Sequence, residues 1–217
     1  PYTTLFRSNL DFETKHFIDG ISGIVIGIPD EAYEVDASVL AGLEKIIEQL
    51  KMLGVEIQKV SIPSLHYVPL VADVITCTEA AAIHHEQLVK RPFDFGKNVR
   101  TFLKLGELIT GVQYIQVQQL RRLIIEEMNE IFSTVDALML PMIPVPAPDI
   151  EETYVKINGT ECDVIEAFTL LPSIANVTGL PSLAIPSGLT VSGLPIGIRL
   201  IGKKFEEKTI LNIGNHI

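Results

Sequence analysis

Three serines stand directly before a glycine, Ser22, Ser187 and Ser192. A serine nucleophile needs a neighbouring base, and its oxyanion is usually held by backbone donors from a Gly-rich loop. None of the three has such surroundings, and the Gly-x-Ser-x-Gly elbow does not occur, so each reads as a turn residue. His84, His85 and Glu86 suggest a metal site, but Val89 stands where the second histidine of HExxH belongs, and adjacent helical residues point to different sides. A solvated helix face is the expectation there, and isolated surface or capping roles for His16, His66 and His216. Arg121 and Arg122 could offer a planar fork to a substrate carboxylate, yet pairing with Glu126 and Glu127 about one turn on is the commoner use of such arginines. Cys77 and Cys162, far apart and the only cysteines, suit a reduced cytoplasmic setting and are not expected to be reactive. There is no phosphate loop. The residues by themselves therefore assign no catalytic, cofactor-binding or metal-binding position.

The composition bounds the partners. The chain has 217 residues, 47% of them hydrophobic, enough for a core of one large or two small domains. Its formal charge of −10 argues against direct contact with nucleic acid or an anionic membrane, both of which require a basic surface. The most apolar run, "ALMLPMIPVPAP", is broken by four prolines and is no membrane span. Asn158 and Asn176 head glycosylation sequons that carry no weight without a secretory signal.

The elements follow from periodicity. "GIVIGIP" at 23–29 reads as a buried strand. A helix capped by Asp36 or Ser38 should follow, burying Val39, Leu43, Ile46, Ile47, Leu50 and Leu53 and ending at Gly54. "VEIQKVSIP" alternates as a half-buried strand does, which completes a βαβ unit of a parallel sheet. Helices are expected over 69–90 and 112–132, the second burying Ile115, Leu120, Leu123, Ile124, Met128 and Ile131. "DALMLP" reads as a short interior strand, and the prolines at 141, 144, 146 and 148 then make an extended wall of the kind that lines clefts. Asn158-Gly159 between two alternating runs signals a two-residue hairpin turn. "SLAIP" and "IGIRLIG" are two strands joined by a Gly-rich turn, and "EEKTILNIG" begins a helix.

Several of these segments together resemble the C-terminal half of the amidase signature family, which includes bacterial amidases, fatty-acid amide hydrolases and the glutamyl-tRNA(Gln) amidotransferase's A chain. "NVTGLPSLAIPSG" at 176–188 is similar to the family's Asn-x-x-Gly-x-Pro strand entry followed by Pro-x-Gly, and "GLPIGIRLIG" at 193–202 to its Gly-Leu-Pro-x-Gly hairpin partner. "FEEKTIL" resembles its closing helix start, "VDALMLPMIPVPAP" its strand and proline-rich wall, and "GIVIGIP" the strand after its signature region. Two residues depart from the pattern: Arg199 stands where glutamine is usual and Met142 where threonine is usual. The segment around Asn158-Gly159 is variable in the family. The resemblance implies an α/β fold with a mixed central sheet covered by helices, and an amidase that cleaves linear amides with a lysine, a bridging serine and a nucleophilic serine through an acyl-enzyme. Those three lie in the N-terminal half in Gly-Ser-rich sequence that this chain does not show, so no catalytic residue carries over to any position here. The substrate implied is a small-molecule amide, with no cofactor, an oligomer possible and a cytoplasmic location. The alternatives are the corresponding component of the tRNA-dependent amidotransferase, which needs partner subunits, and a non-catalytic binding module of the same fold.

Pro1 to Ser8 read as the translation of a DNA sequencing adapter, CCC-TAC-ACG-ACG-CTC-TTC-CGA-TCT. The expectation is a non-native scar over 1–8, and over 9–217 the C-terminal portion of a single amidase domain, with its N-terminal half missing and its C-terminus slightly shortened. A sheet shared between two halves would then leave a strand edge and an apolar face uncovered, and the isolated chain should be aggregated or molten.

Overall fold

A computed structural model describes residues 20–31 and 34–217. The expected scar at 1–8, His16 and the start of the resemblance near Phe17 lie outside the described residues. A five-stranded mixed sheet organises the rest, in the order β2-β1-β3-β7-β6. Strands β1 (Val25–Pro29) and β2 (Glu56–Val60) pair in parallel across helix α1 (Ala37–Met52), which is the βαβ unit that the periodicity predicts. Strand β3 (Ala137–Pro141) runs parallel to β1, and β7 (Pro195–Gly202) lies antiparallel to both β3 and the edge strand β6 (Ser182–Leu189).

Every residue of β3 is buried, so its two-residue period divides the core. Ala137 and Met139 enter one layer with Ile26, Leu43, Ile46 and Leu50, which α7 (Glu207–Asn215) completes through Ile210 and Ile213. Leu138 and Leu140 enter the opposite layer, formed by α2 (Val68–Lys90), α4 (Gly111–Ile131) and α6 (Ser173–Thr178). The caps are local. Asp36, rather than Ser38, caps α1 by accepting from the Ser38 amide at 2.8 Å, and Gly54 just past its end takes φ +83°, where a Cβ would be strained.

Helix α3 (Lys97–Leu108), α5 (Val164–Leu170) and α6 have no counterpart in the expectations from sequence. Helix α3 folds back on α2 so closely that a Cβ on Gly106 would sit 2.1 Å from the Cys77 carbonyl oxygen. Such an approach needs a glycine. His85 Nδ1 lies 2.7 Å from Glu107 Oε1 across this helical pair, and the His84 ring meets Phe95 edge-on at 5.8 Å. Both histidines are exposed.

Three expectations are corrected. Ile115 and Leu123 are exposed at 59% and 44%, because α4 buries the stripe through Val117, Ile124 and Met128 instead. Leu53 is likewise mostly outside the core, at 43%. Arg122 does pair with Glu126, at 2.8 Å, but Arg121 donates Nε–H to the Val177 carbonyl at 2.6 Å and ties α4 to α6. Glu127 accepts from the Ser64 amide at 3.0 Å. The hairpin β4 (Tyr154–Ile157) to β5 (Thr160–Asp163) turns through Asn158 and Gly159, both at positive φ, as a tight primed turn requires.

Candidate substrate cleft

Beyond Pro141 the chain keeps one more ladder bond, from the Met142 amide to the Gly197 carbonyl at 2.9 Å, and then leaves the sheet. Pro144 could not have continued the pairing, since proline has no N–H to donate. Its carbonyl instead accepts from the Asp36 amide at 2.8 Å, so the wall is pinned to the start of α1. Val145, 4% exposed, anchors the wall among Ile157 and Ala167.

The opposite side is the β6–β7 ladder. Ala184 faces Arg199 and Pro186 faces Gly197, and then the register shifts between Pro186 and Gly188. This is a β-bulge, and Ser187 is its extra residue. Ser187 is therefore not the turn residue expected from sequence. It lies 5% exposed beside Gly42 of α1, with no partner for its hydroxyl among the described residues. Ser22 and Ser192 do lie in turns. Gly197 lets the two strands run close, because a Cβ there would stand 3.1 Å from the Ile185 carbonyl oxygen and would push it back by a few tenths of an ångström.

Wall, ladder and Val39 of α1 border an open cavity of about 370 Å³, lined by Met142, Ile143, Val145, Ala184, Pro186 and Gly197 among others. That volume sits at the small end of ligand sites, and the lining is apolar. The proline-rich segment does line a cleft, as its sequence suggests. At the floor's margin, Arg199 shares a sheet face with Ala184 and is only 7% exposed. Its Nη1 donates to the Pro172 carbonyl at 2.8 Å and to that of Leu171 at 3.4 Å, while Nη2 lies 3.4 Å from the Met142 sulfur. Burial pushes the guanidinium pKa down from its ordinary value. The two departures from the family pattern thus touch one another, which periodicity and spacing could not reveal.

Comparison with known sequences decides the family. The sequence profile described as Amidase matches residues 12–211. The chain belongs to the Amidase family. An amidase of Pseudomonas putida is 34% identical over 198 residues, covering 90% of this chain and 42% of that protein. The A component of the glutamyl-tRNA(Gln) amidotransferase of Trichlorobacter lovleyi is 30% identical over 218 residues, covering 88% of this chain and 44% of its own. A crystal structure of an amidase superposes with a TM-score of 0.85 at 30% identity, over 91% of this chain and 46% of that one. The chain thus spans less than half the length of these relatives, and its mixed sheet covered by helices is the Amidase arrangement.

Among the described residues, no group of three or more His, Cys, Asp and Glu is placed to hold a metal ion, and no helix is long and apolar enough to cross a membrane. Cys77 is buried and donates its Sγ–H to the Phe102 carbonyl at 2.8 Å. Burial first, and then Asp73, raises its pKa; burial first, and then Glu166 and Asp163, raises that of Cys162. Both thiols are held in the protonated, poorly nucleophilic form.

Proposed function

We propose that this chain is the C-terminal portion of an amidohydrolase that cleaves the carbon–nitrogen bond of small linear amides. The observation that carries the reading is the apolar cavity between the Met142–Val145 wall and the β6–β7 ladder, in a chain of the Amidase family. An amide substrate presents an apolar acyl body and one polar reacting group, and a lining of this kind takes the body. In this reading a serine outside the present chain attacks the carbonyl carbon, the amine leaves, and water releases the acyl group from the serine ester. Residues 20–217 supply the sheet and one side of the pocket. Recovery of the uninterrupted reading frame tests it. The full-length protein should release ammonia from short aliphatic amides, and hydroxylamine should divert the acyl group to a hydroxamate. The present chain alone should do neither.

The relation to the Trichlorobacter lovleyi amidotransferase component supports a second reading, ammonia transfer to a tRNA-linked acceptor with partner subunits. Genes for such partners beside the recovered frame, and ammonia release that depends on charged tRNA, would favour it over plain hydrolysis.

A further inference from the structure

Met142 lines the cavity and Arg199 does not, yet the two touch: Arg199 Nη2 donates to the Met142 sulfur at 3.4 Å. The strand register puts both on one face of the sheet. Leu140 and Ala184 flank Arg199 in the ladder, Pro186 faces Gly197, and the Met142 amide donates to the Gly197 carbonyl. By the two-residue period, Ala184, Pro186, Gly197, Arg199 and Met142 then share a side, and a Cβ on Gly197 would meet the Met142 Cβ at 3.7 Å. Met142 is therefore the layer between the cavity and the buried cation. A methionine wall is ordinarily a soft one, since its rotatable bonds let it repack around whatever it meets. This one is held. A thioether is a weak acceptor, but the guanidinium that engages it is itself fastened, by Nη1 to the Pro172 carbonyl at 2.8 Å and to that of Leu171 at 3.4 Å. Arg199, buried, also fills the room into which the thioether would otherwise withdraw.

We propose that Met142 is the end wall of the cavity and sets the longest apolar body an amide substrate can carry, with Arg199 as the positioning residue that keeps this wall from yielding. The preferred class is uncharged, unbranched amides of intermediate chain length. The inference rests on the amide-hydrolase reading above for the reaction, but not for the binding. A dry cavity of about 150 Å³ already takes a benzene ring. The open cavity here, about 370 Å³, has room for a larger body, so the length at which a chain meets Met142 falls within an ordinary series of linear amides.

The test is kcat/KM of the full-length protein over linear amides from butyramide to decanamide. In the wild type it should climb about fourfold per methylene, the worth of burying one, and drop where the chain reaches Met142. Met142→Ala removes the thioether arm and should move the drop to amides about two carbons longer, the room that a large-to-small change opens. Arg199→Gln frees the thioether and empties space behind it, so the first amide that the wild type rejects should gain about fivefold or more on the last one it accepts. Arg199→Lys, with no second nitrogen for the sulfur, should do the same, and supplies the reading if Arg199→Gln fails to fold. Equal losses along the whole series in the Arg199 variants would show a merely structural role and overturn the proposal. A drop that is absent from the wild type, or that stays in place in Met142→Ala, would overturn it too. Binding separates the wall from the chemistry: the Tm rise given by each amide should stop growing at the same chain length, and at a greater one in Met142→Ala. Such Tm profiles without any hydrolysis sustain the wall and remove the hydrolase reading. Hydrolysis with a drop indifferent to Met142→Ala does the reverse.

Discussion

Asp36 does two separable things. Its carboxylate caps α1 through the Ser38 amide and hydroxyl, while its own amide holds the Pro144 carbonyl of the cleft wall. Asp36→Ala removes only the first, and should lower the stability of the full-length protein by about 1 kcal/mol, with Asp36→Asn retaining most of it. Denaturant titration of the three proteins checks this, and amide affinity should not change. Asp73, on the exposed side of α2, has its carboxyl pKa raised from 3.8 by partial desolvation and then by the Glu166 carboxylate. The folded protein therefore keeps a proton that the unfolded chain gives up. Stability from this site is full below pH 3.8 and declines as the pH rises through the raised value. Asp73→Asn should flatten that decline, read from denaturation midpoints across the acidic range. The departure at Arg199 was visible in the sequence as an arginine in place of glutamine. Its meaning was not, because the carbonyls that occupy Nη1 belong to the α5–α6 junction, brought to β7 by tertiary packing alone.

At the scale of elements, the strongly periodic segments were legible. The βαβ unit, the Asn158-Gly159 hairpin and the β6–β7 pair have alternation or turn chemistry that admits few other structures. The short helices were not. Thr110 and Gln113 form a capping box for α4 that the Thr-x-x-Gln spacing could have disclosed, and Asp163 caps α5 in the same local way, whereas α6, with no side-chain cap, owes its helicity to burial against α2 and α4. Helix α4 misled at Ile115 and Leu123 because it carries apolar residues on more than one face, and only the tertiary contact selects the buried one. The Gly106–Cys77 contact gives the clearest test of an element. Gly106→Ala must part α2 from α3, since the obstacle is backbone, and should cost about 3 kcal/mol or more, the upper part of the range for overpacking. Gly111→Ala, where a Cβ meets open space, should be neutral or slightly stabilising. Thermal melting of the pair distinguishes local crowding from a general intolerance of alanine.

At the scale of the whole molecule, β2 and β6 are the two edges of the sheet, and Ser182, Ala184 and Pro186 leave one face of β6 exposed beside the cleft. Exposed edges recruit other chains. The present chain expressed alone should be aggregated or molten; a soluble monomer with one sharp, cooperative melt would contradict this. Co-production with the remainder of the reading frame should restore solubility if that remainder pairs with β6. Far from this edge, the crossing at Gly106 has a mechanical consequence. Where two rods touch main chain to main chain no side chain cushions the contact, so a displacement of α3 toward α2 is handed directly to α2 at Cys77.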